Sequence, residues 1–299
     1  MSKVQILLSS YNGEKFIDEQ IESLVSQNDV DLNILVRDDG STDGTIAILE
    51  KYRSKGILNY YQGENLKPAN SFMNLIKNSQ DADYYAFCDQ DDYWEANKLL
   101  KAIEMLNDYT TSPALYFSKA ELVNAQLQPI KHKGYPEKAY TFGQAIIKNN
   151  ATGCTMVINQ NLMNVIREYY PSFITMHDYW IYLICLSIGG KVIYDNNSYI
   201  KYRQHGNNVV GGKTSFIHTY KNKFRMFINK GRDRSKMVKE LSCGFSDIMT
   251  KENREIVDEV LVYTQSFKNK WKLIMNKNIN STSMKNRFMF IIAILFNAF

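Results

Sequence analysis

Acidic residues at the ends of apolar runs carry the clearest chemistry in this chain. Asp89-Gln90-Asp91-Asp92 follows the apolar run Tyr84 to Cys88. Carboxylates at the end of a buried strand suit a hard divalent cation, Mg²⁺ or Mn²⁺, that binds a diphosphate. An isolated Asp-x-Asp is also what an acidic surface turn looks like, but Trp94 and Lys98 just behind it offer an apolar buttress and a cation to the same cleft. Asp38-Asp39 ends a second run, Leu32 to Val36. Its carboxylates can accept hydrogen bonds from a base imide or a ribose hydroxyl, and they also suit a capped turn through Gly40, Ser41, Thr42 and Asp43. Both roles are expected. Ser9-Ser10-Tyr11-Asn12-Gly13 ends a first run and can bring backbone amides and Tyr11 to a nucleotide, yet it lacks the glycine patterns of dinucleotide and P-loop sites.

Further along, His177-Asp178-Tyr179-Trp180 opens an apolar helix, with a lone carboxylate between a histidine and aromatics able to stack on a sugar ring. Aspartate there is equally a helix N-cap. Arg203 and His205 precede Gly206-Asn207-Asn208-Val209-Val210-Gly211-Gly212, a stretch that suits a closing loop or a linker. Gly153 marks a tight turn or a close approach of acceptor to backbone. Cys154 beside it joins the acceptor-side candidates, although Cys88, Cys154 and Cys185 all read as core fillers.

Something must hold these residues together, and the pattern of elements supplies it. After the first run, Phe16, Ile17, Ile21, Leu24 and Val25 fall at helical spacing; after the second, Ile46, Ile48, Leu49 and Tyr52 do the same. A third strand over Tyr84 to Cys88 precedes a helix over Asn97–Asp108. Such alternation predicts an α/β fold with a mainly parallel, Rossmann-like sheet flanked by helices. Open parallel sheets bind ligands at the carboxyl ends of their strands, so the three polar clusters are expected to share one cleft. Past Leu115 the pattern is mixed: Asn149 to Cys154 reads as a loop into a strand, Gln160–Tyr169 as a helix, and Ile181 to Ile188 as a buried helix.

The order of these segments, Ser-Ser-Tyr-Asn-Gly, then Arg-Asp-Asp-Gly-Ser-Thr-Asp-Gly-Thr, then Asp-Gln-Asp-Asp-Tyr-Trp with Asn97-Lys98-Leu99, resembles family 2 of the inverting GT-A glycosyltransferases. The likeness continues through Thr152-Gly153-Cys154-Thr155-Met156, His177-Asp178-Tyr179-Trp180 and Tyr202-Arg203-Gln204-His205. It implies that Asp39 contacts the nucleotide, Asp89 the ribose side, Asp91 the metal, that His205 binds metal or diphosphate, and that Asp178 is the catalytic base. The donor site then gathers Ser9, Tyr11, Asn12, Asp38, Asp39, Lys67, Asp89, Gln90 and Arg203, the metal site Asp91 and His205, and the acceptor or sugar site Trp94, Gly153, Cys154, His177 and Trp180. The chemistry agrees, since displacing a nucleoside diphosphate needs leaving-group charge neutralised and a proton removed from the attacking hydroxyl. Within the family the Asp-Gln-Asp-Asp-x-Trp form with a later Tyr-Arg-Gln-His is most similar to bacterial cell-wall and capsular rhamnosyltransferases. The expected donor is dTDP-L-rhamnose, with a UDP-hexose as alternative, and the acceptor a glycan or lipid-linked sugar. A sugar-nucleotide nucleotidyltransferase calls for a basic Gly-rich loop after the first strand, and Ser9 to Gly13 has no Lys or Arg; an inactive homologue is expected to have lost an acid, and all are present.

Charge divides the chain. Residues 1–212 carry 19 Lys+Arg against 24 Asp+Glu, whereas residues 213–299 carry 17 against 7, net −5 and +10. This predicts a catalytic domain over 1–212, with a nucleotide-sugar half of about 1–112 and an acceptor half of about 113–212, followed by a helical basic region over 213–299. Alternating aromatics and cations in that region suit an anionic membrane surface. Its end, Phe288 to Phe299, is apolar at eleven of twelve positions, too short for the ~20 residues that span a bilayer. The other reading is a helical hairpin that packs on the catalytic domain or forms a homodimer. No recognition fold accompanies the charge, so nucleic acid is not an expected partner. Four cysteines without a C-x-x-C pair and an amino end without a signal peptide predict a cytoplasmic protein, peripheral at the inner face of the membrane.

Overall fold

β1 (Ser2–Ser10) is covered on both faces: Val4, Ile6 and Leu8 point into one apolar layer and Leu7 into the other. A strand buried on both sides reads as a continuous apolar run, and that is how it stands in the sequence. In the computed structural model, which describes residues 1–130, 138–204, 220–279, 281 and 283–299 and no side chains over 220–231, β1 is flanked by β2 (Val30–Asp38) and β4 (Tyr84–Asp89). β3 (Leu58–Gln62) lies outside β2, and these four strands are parallel. The sheet continues through β7 (Val157–Asn159), antiparallel to β4, then β6 (Ala114–Val123), β8 (Lys191–Arg203) and the two-residue β5 (Tyr93–Trp94), in the order β3-β2-β1-β4-β7-β6-β8-β5.

Helices α1 (Ile17–Val25), α2 (Thr45–Ser54) and α4 (Lys98–Leu106) cover one face through Ile21, Leu49 and Leu99. The other face carries α3 (Lys67–Asn78), α5 (Phe142–Ile147), α6 (Gln160–Arg167) and α7 (His177–Ser187). The mainly parallel, helix-flanked sheet is as the sequence predicts. Tyr84 to Cys88 is the fourth strand rather than the third, because β3 and α3 intervene. β3 is an edge strand with one buried residue, Leu58, so its apolar signal is weak. α3 opens with Lys67-Pro68, where proline in the first turn forfeits no helical hydrogen bond.

Among the described residues four α-helices follow: α8 (Tyr220–Phe245), α9 (Lys251–Val262), α10 (Phe267–Met275) and α11 (Met284–Leu295). They pack on the α7 side of the sheet, where Leu241, Phe245, Val257, Ile274, Phe290 and Phe299 enter the same apolar cluster as Leu7 and Trp180. Hydrophobic contact therefore runs across the boundary that charge marks near residue 212. Polar contacts reinforce it. Asn253 donates to the carbonyls of Leu186 and Ser187, and Thr250 N to Ser187 O at 3.1 Å, so α9 satisfies carbonyls left open at the end of α7. Gly143 admits the backbone of Asn278, whose carbonyl oxygen lies against the place where a Cβ would stand. Among the described residues no helix is long and apolar enough to cross a membrane.

Candidate active site

Pairing register brings three chain segments to one edge of the sheet, because Ser10 stands opposite Asp38 and Ser9 opposite Asp89. The first two are sewn together. Ser10 Oγ donates to Asp38 Oδ2 (2.8 Å), Asn12 N to Ser41 Oγ (2.8 Å), Thr42 N to Asn12 Oδ1 (2.9 Å) and Gly13 N to Thr45 Oγ1 (2.8 Å). The third joins through Gln90, whose amide accepts from Tyr11 N at 2.8 Å and donates to Tyr11 O at 3.0 Å. Tyr11 and Asn12 stay exposed at the rim, while Ser9 shares a 2.7 Å hydrogen bond with Ser71 on α3.

Asp38 is fully buried and spent on its turn, accepting from Gly40 N, Ser41 N and Ser41 Oγ as well as Ser10. Asp39, also buried, pairs with Arg37 and accepts from Leu66 N at 3.1 Å. Arg37 was missed from sequence. It stands directly before the two acids, and an arginine against paired aspartates at a strand end is the signal that could have found an internal ion pair. That pair draws in the 63–67 loop, since Arg37 also donates to Glu64 O at 3.0 Å. Lys67 follows with a left-handed φ of 65° and an exposed side chain.

β4 ends on Asp89, and the first turn of α7 carries Asp178. Asp178 is in the first turn but is not the cap, which is Met176. Its carboxylate accepts from Gly153 N (3.2 Å) and Tyr179 N (2.5 Å). Gly153 must be glycine for this approach, because a Cβ there would lie 2.7 Å from His177 Nε2. Burial nonetheless pushes the Asp178 carboxyl up to about 6. Asp89 rises further, to about 7, through burial and then the negative charges of Asp91 and Asp178. Asp89 therefore lies near enough to both Asp91 and Asp178 to feel their charge.

Behind them lies a buried polar knot. Asp92, fully buried, accepts from Arg203 N at 3.0 Å and neighbours the Cys154 thiol; burial and the acids beside it hold its carboxyl well above the usual range. Lys98 lies over the Trp94 ring at 3.4 Å, its Nζ without a hydrogen-bond partner among the described residues, and burial lowers it to about 8.

Several sequence expectations meet a different geometry. Trp94 and Trp180 are both 0% exposed, Trp180 packing on Phe245 at 5.9 Å, so neither offers a face to a sugar. His177 is buried, stacked on Phe72 at 3.8 Å, and burial lowers it to about 3, which keeps it neutral. Cys154 is a core residue, as its filler reading had it. Arg203, 1% exposed, holds Asp91 O at 2.7 Å, pairs with Glu19 and covers the Phe16 ring at 4.5 Å. In this arrangement it fixes the turn that carries Asp91. His205 and the Gly206–Gly212 stretch lie outside the described residues. A polar cavity of about 360 Å³ lined by Lys3, Gln5 and Asn33 opens at the amino ends of the strands, away from the acids.

A mixed sheet that gathers acids at the carboxyl ends of its parallel strands, with a further carboxylate on a facing helix, defines a GT-A glycosyltransferase. The crystal structure of residues 1–349 of TarS from S. aureus has this fold, with a TM-score of 0.60 at 17% identity, covering 99% of this chain and 80% of that one. The sequence matches the model of Glycosyl transferase family 2 over residues 5–167, more than half its length. The chain belongs to that family and is a glycosyltransferase. Among curated relatives it is 30% identical to a dTDP-rhamnosyl transferase, RfbG of Shigella flexneri, over 72% of this chain and 77% of that protein. It is 28% identical to TuaG of Bacillus subtilis, a putative teichuronic acid biosynthesis glycosyltransferase, over 70% and 82%. A UDP-glucose-using β-1,3-glucosyltransferase of Escherichia coli, WfgD, is 30% identical over 65% and 71%.

The divalent cation that the fold implies has suitable residues. Asp89 and Asp91 are hard oxygen donors whose mutual repulsion a cation relieves. Asp89, Asp92 and Cys154 also place ligand atoms within 4.8 Å of one another, but burial keeps the Cys154 thiol protonated and a thiol is a poor partner for Mg²⁺.

Proposed function

We propose that this enzyme transfers a sugar, with inversion, from a nucleoside-diphosphate donor to a lipid-linked or polysaccharide acceptor in bacterial cell-surface glycan synthesis, working at the cytoplasmic face of the membrane. The observation that carries this is Asp89 at the carboxyl end of β4, near enough to both Asp91 and Asp178 for their charges to raise its carboxyl. Asp178 acts as general base: its carboxylate takes the proton of the acceptor hydroxyl as that oxygen attacks the anomeric carbon and the nucleoside diphosphate leaves. Backbone amides from Gly153 and Tyr179 orient it. Asp91, with Asp89 beside it, would hold Mg²⁺ or Mn²⁺, and the cation would supply positive charge to the departing diphosphate. The loops of Tyr11, Asn12 and Asp39 frame the nucleotide, and Lys67 stands at the rim as a cation for the donor.

Likeness to the Shigella enzyme favours dTDP-L-rhamnose as donor, and likeness to the E. coli glucosyltransferase supports a UDP-hexose as the second choice. A screen of nucleoside diphosphate release from dTDP-rhamnose, UDP-glucose, UDP-galactose and UDP-N-acetylhexosamines is the test. Consumption of dTDP-rhamnose, or of a UDP-hexose, is expected, lost in chelator and restored by Mg²⁺ or Mn²⁺. Preference for a GDP- or CMP-sugar overturns the donor assignment, and full activity in chelator overturns the metal.

A further inference from the structure

α10 and α11 are laced together in opposite directions. Lys270 Nζ donates to Leu295 O at 2.8 Å, and Arg287 to Ile279 O at 2.9 Å and to Ile274 O. One side of each enters the core, through Leu273 and Ile274 and through Phe290, Ala293 and Ile294. The open side is where a surface helix normally carries charge. Here Phe267, Trp271 and Met275 recur every fourth residue of α10, 70%, 55% and 59% exposed. On α11, Met284, Phe288 and Leu295 fall on one side at 91%, 63% and 40%.

Charge says what covers them. After Glu259 the sequence has no acidic residue and six basic ones, Lys268, Lys270, Lys272, Lys277, Lys285 and Arg287. Exposed aromatics within an all-cationic segment match an anionic lipid surface, where the rings enter the headgroup boundary and the lysines meet phosphates. A second copy of the chain would set like charge against like.

We infer that the open face of α10 and α11 docks this enzyme on an anionic bilayer. The inference rests on the membrane-linked reading above and names the face that meets the lipid. The terminal apolar run is only partly available, because Phe290, Ile294 and Phe299 are taken into the core. The helices lie on the bilayer and do not cross it.

The chain contains its own reporter: of three tryptophans, Trp94 and Trp180 are 0% exposed and Trp271 is 55% exposed. The full chain is mixed with phosphatidylcholine vesicles, with or without phosphatidylglycerol, and with brominated acyl chains as quencher. Flotation with the anionic vesicles, bromine quenching and weakening by salt are expected. Phe267→Ser with Trp271→Ser, and separately Lys268→Gln with Lys277→Gln, should each weaken partition at least about tenfold, the order of one aromatic withdrawn from water. Thermal midpoint and sugar transfer to a soluble acceptor should hold. No flotation, flotation without quenching, or dimerisation in vesicle-free buffer abolished by the same substitutions overturns the inference. Vesicle binding and transfer are read separately, so loss of transfer in a chain that still binds counts against the catalytic reading alone.

Discussion

Asp178, the base proposed above, has to meet two demands that usually conflict. A general base must be ionised in use yet hold its proton well enough to be basic, and burial to about 6 places this carboxyl near that compromise. Below pH 6 it is protonated and idle, so transfer should rise with pH and level off above about 7. Burial and the neighbouring acids also raise Asp89 to about 7, but a saturating divalent ion would keep it ionised and leave the limb to Asp178. Asp178→Asn keeps the shape and loses the base, for which ~10²–10⁴-fold slower transfer is expected, with donor binding and melting near the parent values. Near-normal transfer by a folded Asn variant would move the role elsewhere. The sequence exposed this residue because it is polar in an otherwise apolar helix. It misled at Trp94 and Trp180 because residue type does not say which way a ring points, and α7, surrounded on every side, has no polar face from which direction can be read.

Among the elements, the strands that hold acids were legible and the ones that support them were not. β1, β2 and β4 are buried runs that end in polar clusters, whereas β3 has a single buried residue and β5 only two residues in all. Long-range approaches leave even less trace. Gly143 is an ordinary residue in sequence, yet the start of α5 touches the Asn278-Ile279 backbone there. Gly143→Ala should cost about 1–3 kcal/mol, as overpacking does, by parting α5 from that segment. Denaturant midpoints are the measure, and an unchanged midpoint would show that the two segments separate without penalty. Nucleotide release should change little, since no acid of the cleft touches this contact.

At the scale of the molecule, net charge marked a division that packing does not respect. Charge is a property of the surface, while Phe245, Val257, Phe290 and Phe299 are interleaved with the apolar side of α7. Deleting residues 284–299 is thus a structural change before it is a membrane one. Withdrawing Phe290, Ile294 and Phe299 removes roughly 5 kcal/mol of burial, and the melting midpoint should fall by ten degrees or more. A truncated chain that melts like the parent would show the tail to be separable. The shared core also has a consequence in time. A ribosome delivers β1 to β4 first, and their face toward α1, α2 and α4 can close early. The partners that α8 to α11 bring to α7 arrive roughly 5–20 s later at ordinary elongation rates. Through that interval the nascent chain carries the side of α7 where Trp180 meets Phe245 without its cover, which makes the enzyme competent only late in its own synthesis.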